Sequence, residues 1–157
     1  MMLRRTLYIL LPVIAVAVAV SACGGGTVYS KFVSTPVDGL EKNDTVVFDV
    51  PPVALSGRYS MEMGLRITAA YPFTSISLEV CQTVEPGHRM SVDTLDCRLY
   101  DNDGNVLGRG VSIYQYGFAL PDIGLQKGDS LHVRVRHVMK REILPGITDI
   151  GLSMETK

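Results

Sequence analysis

The residues with the clearest chemistry lie near the N-terminus. Ser21 and Ala22 precede Cys23, and Gly24, Gly25 and Gly26 follow it. Small side chains before a cysteine resemble a bacterial lipobox, the other reading being a free cysteine after an ordinary signal peptide. They let a peptidase reach the backbone, and the thiol is the nucleophile that takes up lipid. Upstream, Arg4 and Arg5 make a positive n-region, and Leu7 to Val20 is an apolar stretch broken only by Pro12. That stretch is too short for a bilayer core of about 30 Å and fits a signal h-region. A single acyl chain anchors weakly, at about 0.8 kcal/mol per buried methylene, so two or three palmitate-type chains on Cys23 are needed for a lasting hold. The glycines after it make a flexible tether. None of residues 24–27 is acidic. By resemblance to known sorting patterns, this argues against inner-membrane retention and against surface export. The expected location is the periplasmic face of an outer membrane.

Other reactive side chains give weaker patterns. A Cys81–Cys97 disulfide is permitted in an oxidising compartment. Strand parity opposes it: Cys97 shares a face with Leu95 and Leu99, whereas Cys81 alternates with core-facing Val80. His132 and His137 are five apart and point to opposite faces of one strand, and His88 sits beside the Pro86-Gly87 turn. No metal set emerges. Asp101-Asn102-Asp103-Gly104 fails as a calcium loop, because Leu99 and Gly110 stand where an acidic first ligand and a terminal glutamate belong. His132, Arg134 and Arg136 form a basic stripe, with Arg66 expected on the same side, that could dock an acidic partner or a lipid phosphate. A solvated strand face beside glutamates explains the same residues. Tyr100, Tyr114 and Tyr116 would line a cleft if the chain bound a small ligand. There is no G-x-S-x-G motif and no serine placed near a histidine and an acid in sequence. Such groups could still converge in space, so a hydrolase with acid–base groups gathered in a pocket stays open as a rival on the residues alone.

These groups must be positioned by strands. Met61, Met63, Leu65 and Ile67 alternate with polar or small residues, as do Ile76, Leu78 and Val80, then Leu95, Cys97 and Leu99. Leu131, Val133 and Val135 continue the pattern, followed by Ile150, Leu152 and Met154. Each period-2 run buries one face and wets the other, as antiparallel sheets do. Val46–Val50, Val106–Tyr116 and a short Tyr29–Val33 add candidates, and Lys140–Leu144 could form one helical turn. Asp103-Gly104, Pro86-Gly87, Gly128-Asp129 and Pro145-Gly146 supply turns, and Pro51-Pro52 ends a strand. The expectation is an all-β fold, a single antiparallel β-sandwich of about seven or eight strands. The layout is a cleaved signal peptide over 1–22, a lipidated tether over 23–27 and a domain over 28–157.

Composition agrees once the leader is set aside. The chain of 157 residues is 46% hydrophobic with net charge −1. Residues 1–22 hold two arginines and no acid, so without them the charge is −3 and the apolar share about 41%. That describes one globular domain, not a polytopic membrane protein, a disordered chain or a nucleic-acid binder.

A family resemblance rests on ordered short motifs. Arg66 followed by Tyr71-Pro72-Phe73 comes first. Asp93-Thr94-Leu95, Asp103-Gly104 and Gly108-Arg109-Gly110 continue it. Met139-Lys140-Arg141, Leu144-Pro145-Gly146-Ile147 and Asp149-Ile150-Gly151-Leu152 close it. With Cys23, the order and spacing resemble the GldH lipoproteins associated with gliding motility in Bacteroidetes, over nearly the whole chain from Cys23 to Lys157. The resemblance implies an outer-membrane lipoprotein supporting gliding machinery and the linked type IX secretion system, or envelope assembly in non-gliding species. It implies protein partners, no enzyme activity and no cofactor. It also brings the Bacteroidetes O-glycosylation pattern of Asp-Ser/Thr before an apolar residue, met at Thr45, Thr94 and Ser130. Turn and strand-entry chemistry accounts for those residues as well. The alternative is a small-ligand or glycan-binding periplasmic lipoprotein.

Overall fold

A computed structural model describes residues 26–157. Cys23, the signal segment and most of the tether lie outside them. No described residue is helical. Ten strands form: β1 (Thr27–Ser34), β2 (Leu40–Glu41), β3 (Val46–Val50), β4 (Gly57–Thr68), β5 (Ser75–Glu85), β6 (Arg89–Arg98), β7 (Ile113–Leu125), β8 (Ser130–His137), β9 (Ile143–Leu144) and β10 (Ile147–Thr156). The eight longer strands make two antiparallel four-stranded sheets, in the orders β1-β10-β4-β7 and β3-β8-β5-β6. The two-residue strands β2 and β9 pair as a small clasp. The fold is all-β and sandwich-like.

Alternation decides which face is buried. From the first sheet, Met61, Met63, Leu65 and Ile67 of β4 and Ile150, Leu152 and Met154 of β10 point inward. From the second come Val46, Phe48 and Val50, then Ile76, Leu78 and Val80, and Leu131, Val133 and Val135. These side chains form one continuous core. Burying a large aliphatic side chain contributes about 1.5–3 kcal/mol, so this core dominates the stability of the domain.

Two segments differ from the sequence expectation. The strand expected over 106–116 lies at 113–125 instead. Val106 makes only an isolated bridge to Tyr100, and the chain turns back at Gly110. There φ is +144°, and a Cβ would fall 1.9 Å from the Ile113 carbonyl oxygen, so only glycine closes this turn. β7 then runs through Pro121. It tolerates proline because it is an edge strand, with a register shift opposite Tyr59–Met61. The helical turn expected over 140–144 is absent. Ile143 and Leu144 pair instead with Glu41 and Leu40, since the clasp gives Leu144 a fully buried place.

Candidate functional site

The outer face of the second sheet carries the predicted stripe. β8 lies between β3 and β5, so its outward residues meet neighbours on both sides. Asp49 pairs with His132 and Val47 with Arg134 from β3. Thr83, Cys81 and Glu79 of β5 stand beside His132, Arg134 and Arg136. Val92 of β6 lies beyond Cys81, and Thr94 beyond Glu79.

This register gives two of the three stripe residues a carboxylate partner. His132 Nδ1 lies 2.6 Å from Asp49 Oδ1, and Arg136 Nε donates to Glu79 Oε1 at 2.7 Å. That hydrogen bond, helped by the charge of Arg136, holds the Glu79 carboxyl below its ordinary range. Arg134 differs. Its guanidinium lies 3.6 Å from Cys81 Sγ and, among the described residues, forms no ion pair. Val47, Val92 and Met90 around it are exposed. Thr45, Glu79, Cys81, Met90, Val92, Arg134 and Arg136 line a shallow depression of about 380 Å³. The arrangement presents one uncompensated cation in an apolar, polar-rimmed face.

Arg66 does not join this stripe. It sits on β4 in the other sheet, and that is a correction: period-2 spacing gives the face within a strand but not which sheet the strand enters. Its guanidinium lies 3.9 Å above the Phe32 ring, its Nε donates to Gln115 Oε1 at 3.1 Å, and Asp149 is within 4.0 Å.

Parity holds for the cysteines. Cys97 is buried and Cys81 half-buried, and both are free thiols. They point to opposite faces of the second sheet. Burial, then the charge of Asp96, pushes the Cys97 thiol up to about 12. Among the described residues, no three histidine, cysteine or acidic side chains gather as a metal site. Asp101 closes its own turn, accepting from the Asp103 and Asn105 amides. Thr45 and Thr94 are exposed on the second sheet's outer face, and Ser130 is half-buried at the start of β8.

Tyr100 and Tyr114 lie near Tyr116. The proximity of Tyr100 and Tyr114 adds to burial in raising the Tyr116 hydroxyl. Tyr114 and Tyr116 lie on β7 and Tyr100 in the loop before it; Gly108 of that loop stands over the Tyr116 ring, which stacks on Phe118. An open depression of about 770 Å³ beside them is lined by Glu62, Arg98, Arg109, Gln115 and Phe118. Sequence reasoning missed Asp49, Glu79 and Glu62. Outward parity on their strands was the available signal for all three.

The profile of the GldH lipoproteins matches residues 27–154. The chain belongs to the GldH lipoprotein family. It is 27% identical over 148 residues to the gliding motility lipoprotein GldH of Flavobacterium johnsoniae, covering 90% of this chain and 92% of that one. Among solved structures, it is similar to a family 35 carbohydrate-binding module from Clostridium thermocellum. The identity is 12%, the coverage 79% of this chain and 89% of that one, and the TM-score 0.38. Latent PorU from Porphyromonas gingivalis is 8% identical, with 86% of this chain and 14% of that one covered and a TM-score of 0.34. At these scores neither likeness bears on function. The GldH match spans every strand except the last residues of β10, so both outer faces belong to the family domain.

Proposed function

We propose that this GldH lipoprotein is held by acylated Cys23 in the outer membrane, facing the periplasm. There it serves gliding motility and type IX secretion machinery as a non-catalytic subunit that works by protein interaction. The anchor confines the domain to a thin layer, which raises its effective concentration for partners in that layer. What supports a protein partner is the face around Arg134. It combines an unpaired guanidinium with exposed Val47, Met90 and Val92, the mixture that interfaces use. The partner chemistry it fits is an acidic side chain flanked by apolar ones. In a crosslinking pull-down from native envelopes, Arg134→Glu should lose the partners that wild type retains. Unchanged capture by that variant, with normal folding, would remove this face from the proposal.

A second reading is kept for the Tyr116 depression, because it brings aromatic edges, a carboxylate and an amide together at one sheet edge. Such a set suits a saccharide or another small polar ligand. Isothermal titration with envelope oligosaccharides, compared with Gln115→Ala, separates the two readings.

A further inference from the structure

The end of the sandwich nearest Cys23 carries an uncharged loop, Pro51-Pro52-Val53-Ala54-Leu55-Ser56-Gly57. Several contacts put this loop at the tethered end. Thr156 N donates to the Gly26 carbonyl, and Lys157 N to that of Arg58. Gly57 pairs with Leu125, and Lys127 N donates to Ser56 Oγ. Only two strand spacings, about 10 Å, separate β1 from β4 at that edge. From Cys23 to Thr27 the chain is four residues long, which spans at most about 14 Å. This end of the domain is therefore confined near the lipid headgroups.

The loop is held in a fixed shape. Val53 is buried, its N–H donates to the Asp129 carbonyl, and its own carbonyl accepts from Gly128. Tyr59 Oη donates to the Leu55 carbonyl. These ties leave Pro51, Pro52, Ala54 and Leu55 projecting, with Leu55 68% exposed. Arg58, Arg89, Lys127 and Lys157 stand around the loop, and Glu85 and Glu155 lie at the same end of the sandwich. Lys127 is exposed and, among the described residues, makes no ion pair. Arg58 and Lys157 share Asp122, and Arg89 pairs with Asp129, so both of those carboxylates are already met. A projecting apolar tip among lysine and arginine side chains, with Lys127 unpaired among the described residues, suits an interface of acyl chains beneath phosphates.

We propose that the Pro51–Gly57 loop is a second membrane contact, dipping its Leu55 tip into the headgroup region of the bilayer that holds the Cys23 acyl chains. It rests on the anchored reading of Cys23. The contact would fix the orientation of the domain, with the opposite loops around Val37 and Val111 facing away from the membrane.

The chain has no tryptophan, so a single introduced one reports depth. The full chain, processed and lipidated, is reconstituted into phosphatidylethanolamine–phosphatidylglycerol vesicles containing lipids brominated on their acyl chains. Leu55→Trp should show blue-shifted emission, quenched severalfold more than that of Val37→Trp, whose site is fully exposed at the far end. Vesicle-bound protein in which Trp at 55 is quenched no more than Trp at 37 would overturn the contact while leaving the anchor intact. Lipidated protein that fails to sediment with vesicles would overturn the anchored reading and the contact with it. Both sites are exposed, so neither change disturbs the core.

Discussion

Gly151 and Gly64 sit side by side on β10 and β4, and the Phe32 ring of β1 occupies the space their side chains would need. A Cβ at Gly151 would meet three ring atoms at 2.6–2.8 Å. The ring in turn carries the Arg66 guanidinium on its face. Gly151→Ala should therefore cost about 1–3 kcal/mol by overpacking. In a Phe32→Ala background the same change should cost much less, or stabilise, because alanine suits a strand better than glycine. A double-mutant cycle from urea unfolding checks this, and additive effects would show that the ring is not the obstacle. The thiols differ as sharply. Cys81 should react with a thiol reagent in native protein, whereas Cys97, buried and held protonated to about 12, should react only on unfolding. Equal native rates for the two would contradict the assigned faces.

At the scale of elements, the clasp of β2 and β9 stands over His137, the fully buried last residue of β8. Neither ring nitrogen has a well-formed hydrogen bond. Burial pushes the imidazole below its ordinary 6.5. The carbonyls of Glu142 and Leu40 and the Glu142 carboxylate oppose that shift, and Lys42 reinforces it. The unclasped chain thus takes up a proton at a higher pH than the clasped one. Its contribution to stability is complete above about pH 6.5 and is lost as pH falls below that value. Hydrogen exchange at Lys42, whose amide donates to the Glu142 carbonyl at 2.8 Å, should quicken on acidification beyond the intrinsic chemical trend. His137→Leu should flatten that excess, and an unchanged slope in the variant would clear His137 of the effect. The same elements show what could be read from the sequence. β4, β5, β8 and β10 were legible because each buries one face and so must alternate. β7 was not, because an edge strand can carry Pro121 and need not keep its period. The clasp was not, because two-residue strands are fixed by tertiary partners rather than by any local pattern.

For the molecule as a whole, sheet assignment was the missing information. His132, Arg134 and Arg136 share a strand, so their common face followed from parity. Arg66 lies on another strand, and only the order β1-β10-β4-β7 puts it on the opposite side of the sandwich. Asp49 and Glu79 engage two of the three remaining stripe residues through long-range pairing that no spacing reveals. Anchor and domain should likewise be separable. The core draws its side chains from residues 40–154, and the first strand begins at Thr27, beyond the tether. Cys23→Ala should therefore leave the unfolding free energy of the domain within about 0.5 kcal/mol, as changes remote from any core or cap do. It should also move the protein from the membrane fraction to the soluble one. The Pro51–Gly57 loop cannot replace the lipid, because one leucine tip offers a few methylenes where each acyl chain offers more than a dozen, at about 0.8 kcal/mol apiece. Fractionation of envelopes, with thermal unfolding of the released protein, tests both halves. Variant protein that stays with the membrane after residues 1–22 have been cut away would mean that a protein partner, rather than acyl chains, holds the domain there, and an intact mass tells that case from an uncleaved signal segment.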